Sequence, residues 1–439
     1  MANTPPAPPP LASSYQQLTG RSVPELTTMA VTRSIGLPST VILPRLPAEA
    51  WREIAAHGDI IQAYMIMGMS RDIREGVRDW LRSLPAMFLT GGWIPSGDTI
   101  TEFAPWMVTP DIWRLPMYPL VWVKQPRMVY PRFGHSSHGV DNKLVTIGGR
   151  QSGIDASLMQ YWAGINHPAS ALLNIPLIHP TDPRLASIET LHYRDGIAIA
   201  PGQMPQPAPP VALNIDVFAD GQMTAENKDS VTLYGGLRTH SVQSVHMPYM
   251  LESQDVFRVN TETGFCETIA QLPHSRSAFM AAIPPGGGII VAGGRGPVSI
   301  ASGSLMSSAG EWDPVPGFPE GRSGSQGHVL KNGRFVVFGG RGAGHFAATT
   351  TSSIDLSNEL TGHLWIVGPL SARHRLAVGR SHFASAYIGG CVFIAGGIGA
   401  HDNHPMVVEV YREFDETFRQ LPIASNLSSP CFAMGSATL

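Results

Sequence analysis

Leu144-Val145-Thr146-Ile147-Gly148-Gly149 is a short, largely apolar run closed by two glycines, and the chain writes it six times. The other copies are Met87-Phe88-Leu89-Thr90-Gly91-Gly92, Val231-Thr232-Leu233-Tyr234-Gly235-Gly236, Ile289-Ile290-Val291-Ala292-Gly293-Gly294, Phe335-Val336-Val337-Phe338-Gly339-Gly340 and Val392-Phe393-Ile394-Ala395-Gly396-Gly397. The first glycines are 57, 87, 58, 46 and 57 residues apart. Each run is rich in β-branched and aromatic residues and too short for a helix, so it reads as a strand buried on both faces. The glycines suit strand ends that converge on a common axis, where a Cβ finds no room and the backbone must turn. A repeat of this period calls for one supersecondary unit per copy.

The rest of the composition agrees with many short strands and turns. The chain has 439 residues with 46 Gly and 38 Pro; 43% are hydrophobic and 14% charged, enough apolar surface for a large core and against a long disordered chain. A net charge of −3 gives no global attraction to nucleic acid or an anionic membrane. Cys266, Cys391 and Cys431 are an odd set at no metal-ligand spacing, which implies a reducing compartment and neither a disulfide framework nor a zinc site. Met1 to Ser14 lacks the basic and apolar regions of a secretory signal, and no run approaches a membrane span. The expected location is cytoplasmic or nuclear.

Flanking signals repeat with the glycine pairs. Upstream stand Pro131-Arg132-Phe133-Gly134-His135, Arg276-Ser277-Ala278-Phe279, Arg322-Ser323-Gly324 and Arg380-Ser381-His382-Phe383. Downstream come an aromatic residue and a proline turn: Trp113 then Pro116, Phe265 then Pro273, Trp312 then Pro314, Trp365 then Pro369, and Phe418 then Pro422. This combination resembles the kelch repeat. The resemblance spans about residues 86–439 and implies an all-β fold: a six-bladed kelch-type β-propeller of four-stranded blades. The first unit has no upstream strand of its own, while Cys431 to Leu439 is an unpaired strand-like tail. The C-terminus is therefore expected to complete the first blade and close the ring, which also removes an open sheet edge. The 87-residue interval implies an insertion loop at about 160–212, with Trp162 and the Pro201–Pro210 stretch inside it, and leaves a seventh, degenerate blade around Leu191 to Pro201 open.

Before the ring, residues 1–40 are rich in Pro, Ser and Thr and read as a disordered tail. Residues 41–85 follow with two helical patterns, one carrying Trp51 and Ile54, the other running from Asp59 through Met69 towards Val77 and Trp80. This segment resembles an F-box, a small α-helical hairpin that docks the Skp-type adaptor of cullin-RING ubiquitin ligases. The matching positions are Leu46, Pro47, Trp51, Ile54, Ile60 and Ile61, which the resemblance assigns to adaptor binding, together with the Ser70-Arg71 step. The chain departs from the family in having His57-Gly58 where a Pro usually precedes the Asp, and Ile73 where a Trp usually follows.

The residues with the clearest chemistry come directly after the glycine pairs. Arg150, Arg295 and Arg341 follow a pair immediately and Arg238 one residue later, so four units would place guanidinium at one level of the ring. That group suits two-pronged recognition of carboxylate or phosphate, implying an acidic or phosphorylated segment of a target protein as ligand. The upstream Arg132, Arg276, Arg322 and Arg380 are secondary candidates. Only 4 Lys accompany 26 Arg, a bias that a GC-rich coding sequence explains better than selection for guanidinium chemistry does. The pairs His135/His138, His240/His246 and His401/His404 match no metal motif, and the family precedent places a core histidine at His135 and His382. No nucleophile elbow, Walker loop or kinase set occurs, and the absence of a Tyr-His dipeptide argues against the copper oxidases of the propeller class. The expectation is a non-catalytic receptor without cofactor or metal: the substrate-recognition subunit of an SCF-type ubiquitin ligase. The alternatives are a kelch scaffold or cytoskeletal interaction protein, and a propeller enzyme such as a sugar isomerase or specifier-type lyase.

Overall fold

The computed structural model describes residues 46–95, 106–150, 185–193, 206–216, 218–240, 249–296, 300–307, 309–317, 320–342, 348–356, 365–369, 371–399, 407–421 and 435–439. The tail at 1–40, Trp162 and most of the expected insertion at 160–212 lie outside the described residues. The chain divides into two compact units, one formed by residues up to Leu84 with Met117–Pro119 and Ile388–Cys391, the other by the remainder. No helix of the described residues is long and apolar enough to cross a membrane.

The first unit holds three helices, α1 (Ala48–His57), α2 (Ile60–Met67) and α3 (Arg71–Ser83). The expected second helix is thus two. The chain breaks at Gly68 to Ser70, where the Ser70 hydroxyl accepts the Ile73 N–H and starts a new helix. Asp59 caps α2 in a reciprocal box: its carboxylate accepts the Gln62 N–H at 2.8 Å while the Gln62 side chain accepts the Asp59 N–H at 3.2 Å. Trp51 and Ile54 of α1, Ile60 and Ile61 of α2, and Ile73, Val77 and Trp80 of α3 are buried. Gly76 faces the Ala48 carbonyl, where any Cβ would clash, so α1 and α3 approach closely at that point. Replacing Asp59 by Ala should cost about 1 kcal/mol of stability through loss of this cap. Chemical denaturation of the two chains, side by side, measures it.

The second unit is antiparallel sheet. Sheet I orders Gly435–Thr438, Met87–Thr90, Ile112–Leu115 and Val123–Gln125; sheet II orders Ser136–Val140, Lys143–Ile147, Ser187–His192 and Val211–Ala212. Sheet III contains Gln222–Asn227, Ser230–Tyr234, Asp255–Asn260 and Cys266–Gln271, and sheet IV Met280–Ala282, Ile289–Ala292, Gly303–Met306 and Trp312–Val315. Sheet V contains Gln326–Val329, Arg334–Phe338, Thr351–Asp355 and Ile366–Val367, and sheet VI Ala384–Ile388, Cys391–Ala395, Val408–Arg412 and Thr417–Leu421. The C-terminal strand pairs antiparallel with the first glycine-pair strand, Met87 opposite Thr438 and Thr90 opposite Gly435. Leu191, left open as the start of a further blade, sits in the third strand of sheet II opposite Leu144. The long interval thus falls within one sheet, partly between its second and third strands and partly after the third, and Ser187–His192, Gln206–Pro207 and Val211–Ala212, all inside the range expected as a loop, pair with one another there.

Why the glycine-pair runs are apolar throughout follows from what each face meets. Side chains alternate across a strand, so Val231 and Leu233 pack into the cluster shared with sheet II, and Tyr234 into the one shared with sheet IV. Phe335 and Val337 likewise face sheet IV, Val336 and Phe338 sheet VI. The core is a series of such clusters between consecutive sheets.

The glycines stitch those sheets together. Gly92, Gly149, Gly236, Gly294 and Gly340 donate their N–H groups to the carbonyls of Arg132, Phe218, Arg276, Arg322 and Arg380 on the following sheet, at 2.6–2.9 Å. Both residues of each pair have positive φ, 70° and 95° at Gly148 and Gly149, and a Cβ on Gly235 would come within 2.9 Å of the Arg276 carbonyl. Only glycine combines that backbone with that approach.

Candidate functional site

A second line of bonds crosses the sheets one level beyond the glycine pairs. The N–H groups of Asp220, Ala278, Gly324 and His382 donate to the carbonyls of Gly134, Asp220, Ala278 and Gly324, each at 2.6–2.8 Å. All five residues have positive φ, 48° to 63°. Glycine occupies two of these positions at little cost, whereas Asp220 and His382 hold a conformation that disfavours a side chain. Their side chains lie back over the glycines of the preceding sheet. The Asp220 carboxylate sits where a Cβ on Gly134 would be, and the His382 imidazole comes within 2.6 Å of a Cβ placed on Gly324.

The arginines after the glycine pairs meet this line. Arg150, Arg295 and Arg341 bridge Phe133, Ser277 and Ser323, which places each beside the turn at Gly134, Ala278 or Gly324. His382 feels all three: burial first, then the charges of Arg341, Arg150 and Arg295, hold its imidazole down at about 3. Their surroundings differ. Arg150 is 6% exposed, ion-paired with Asp220 and laid over the Phe133 ring at 4.9 Å. Arg341 is half-buried, and Arg295 is exposed. The site therefore offers cationic charge at the exposed Arg295, on the side of sheet IV, with a neutral imidazole nearby.

Arg238 does not join them. Leu237 takes the position directly after the glycine pair, opposite Ala219, and strand alternation turns Arg238 the other way. There its guanidinium donates to Asp255 at 2.6 Å and covers the Phe257 ring at 5.0 Å.

The four upstream arginines are interior residues. Arg132, Arg276 and Arg380 are fully covered and Arg322 is 4% exposed. Each sends Nη1 to the carbonyl of the first glycine of its own sheet, Gly148, Gly293, Gly396 and Gly339 respectively, and to a carbonyl at the entry to the third strand. Nη2 then reaches Ser187 and Glu189, Ser302, Glu409 or Thr350. Groups so covered cannot touch a ligand. They satisfy the carbonyls that the glycine turn leaves unpaired, which corrects their place among the ligand-binding candidates.

His382 also differs from the expected core histidine. Counting from the buried arginine, it is the second residue on where His135 is the third, so it aligns with Gly134, and Phe383 fills the core place. His135 is a core residue: Nε2 lies 2.8 Å from the Thr90 hydroxyl and 3.3 Å from the Gly435 N–H that it accepts. The sequence carried the signal for His382 in that one-residue offset. Asp220 carried none, because Phe218 replaces the arginine that marks the other turns. Phe265, one of the aromatic residues that recur after the glycine pairs, is 59% exposed.

Among the described residues no group of three or more His, Cys, Asp or Glu side chains is placed to hold a metal; His246, His401 and His404 lie outside them. In the helical unit, Leu46, Trp51, Ile54, Ile60 and Ile61 are 9% exposed or less, and Pro47 is exposed. No family model matches this chain, and no curated protein matches it.

Proposed function

We propose that the chain is a non-catalytic receptor, a six-bladed kelch-type propeller that holds an acidic segment of a target protein at the mouth formed by Arg150, Arg295 and Arg341. The observation that carries this reading is the gathering of three guanidinium groups near one neutral imidazole, with Arg150 paired to Asp220 and Arg295 exposed. A carboxylate or phosphate entering on the side of Arg295 finds charge-assisted donors, and the concave setting strengthens their field. The gathering of first strands from six sheets along one cavity supports the ring.

The test uses a fluorescein-labelled Glu-rich peptide. Changing Arg295 and Arg341 to Ala together should weaken binding by roughly tenfold to a hundredfold, at about 1.5–3 kcal/mol for a lost charged hydrogen bond, and flatten its dependence on salt. Unchanged affinity and an unchanged salt slope would refute the acidic ligand.

The more specific assignment makes the chain the substrate-recognition subunit of an SCF-type ligase in the cytoplasm or nucleus, the helical unit docking a Skp-type adaptor. The target would be modified by proximity, with no catalytic residue in the receptor. The helical unit before the sheets supports it. The rival is a scaffold without ligase role, and one observation favours the rival: five of the six adaptor-docking residues are already buried in the folded chain. Co-purification of a Skp-type adaptor with the full chain, lost on Pro47→Arg, separates the two.

A further inference from the structure

The first strands of all six sheets line one cavity of about 360 Å³. That volume lies within the range of small-molecule sites, roughly 300–1,000 Å³. Its wall includes His138, Thr224, Gln326, His328 and Ser385, interrupted by small residues such as Ala282, and among the described residues it contains no Lys, Arg, Asp or Glu. Several polar atoms there keep hydrogen-bonding capacity in hand. His138 spends Nδ1 on the Gly139 carbonyl and His328 spends Nε2 on the Ser385 hydroxyl, which leaves one ring nitrogen of each for the cavity. The Gln326 amide makes no hydrogen bond among the described residues. Burial holds the His328 imidazole down at about 4 and lowers that of His138, so both are neutral near pH 7 and each offers a donor or an acceptor.

This lining discriminates by chemistry. An ion held against this wall would give up part of its hydration without a counter-charge among the described residues, and an apolar molecule would cover the histidine and amide groups without giving them partners. A compact neutral molecule bearing several hydroxyls satisfies both conditions. We infer that the cavity is a binding site for a neutral polyol of monosaccharide size, held by His138, Gln326 and His328. The inference does not rest on the receptor reading.

Glucose and myo-inositol are the probes, with glucuronate and glucosamine as charged counterparts, titrated into the full chain by saturation-transfer NMR and calorimetry. Saturable binding of a neutral probe is expected with a Kd on the order of 1 mM. Ala282→Leu, which fills the cavity, and Gln326→Ala, which removes a hydrogen-bonding group, should each weaken it at least about tenfold while circular dichroism stays unchanged. The charged counterparts should bind no better than background. A wall that holds water only would give no saturable signal for either neutral probe, and that result overturns the inference. So does saturation that both substitutions leave unchanged, or glucuronate binding that persists in Ala282→Leu and disappears in Arg295→Ala, which would place the ligand at the arginine mouth.

Discussion

Glu409→Ala should lower the unfolding free energy by about 3–5 kcal/mol, the loss typical when one member of a buried ion pair is removed. Glu409 is 1% exposed and Arg380 fully covered. The carboxylate accepts from Arg380 Nη2 with one oxygen and from the Ala377 N–H, at 2.7 Å, with the other. Removing it leaves a guanidinium that burial already penalises, as the lowered Arg380 value records, and strands a backbone donor. Glu189 plays the same part for Arg132 on sheet II, at 2.6 Å. On sheets IV and V the corresponding acceptors are the Ser302 and Thr350 hydroxyls, and burial alone lowers Arg276 to about 10, still protonated at neutral pH. Glu409→Gln should therefore cost less than Glu409→Ala, because it keeps an acceptor, and Arg380→Met with Glu409→Leu should recover part of the loss. Guanidinium unfolding of the four chains measures the series; a Glu409→Ala chain within about 1 kcal/mol of the parent would contradict the pairing.

Mild acid should destabilise the protein before its carboxylates titrate. His135, His328 and His382 are held down at about 3, 4 and 3, mainly by burial, against about 6.5 in an unfolded chain. Below pH 6.5 the unfolded chain therefore binds protons that the folded chain refuses. Stability is full above that pH and falls as pH drops towards the folded values. Each histidine contributes a loss approaching about 1.4 kcal/mol per pH unit, or about 2 kcal/mol between pH 7 and pH 5. His135 is 5% exposed and should give that full value; His328 and His382 are partly accessible and add less, for a total on the order of 4–6 kcal/mol. Protonating His135 Nε2 also removes the acceptor of the Gly435 N–H, so the C-terminal strand should loosen first. Urea unfolding at pH 7 and pH 5 checks the sum, and hydrogen exchange at Gly435 the order of events. Equal stability at both pH values would contradict it.

Both predictions concern interior groups whose residue types were plain in the chain and whose roles were not. Arg132, Arg276, Arg322 and Arg380 recur at one place in the repeat, and recurrence is compatible with a binding surface or with a repeated structural bond. The unpaired carbonyl of each glycine turn settles their use, and a carbonyl's direction depends on a backbone that crosses two sheets. Arg238 shows the opposite limit. Its neighbour Leu237 decides which side of the strand it faces, and one residue is the whole difference between the mouth and a pair with Asp255. Leu46, Trp51, Ile54, Ile60 and Ile61 carry a helical pattern that serves a docking face and a core alike, and only their packing separates the two.

What the chain's own order determines is the unit: apolar runs with both faces to cover, each ended by residues without Cβ, must become central strands that turn sharply and pack between neighbours, because no other arrangement hides both faces at once. The pairing of Met87–Thr90 with the last strand was legible for the same reason, since one unit lacked a partner that the tail could supply. Tertiary structure alone brought Asp220 to Arg150, set His382 over Gly324, and lined one cavity with strands from six sheets. Those relations join residues tens to hundreds of positions apart, and charge, burial and hydrogen bonding act through distance in space, which local sequence pattern does not carry.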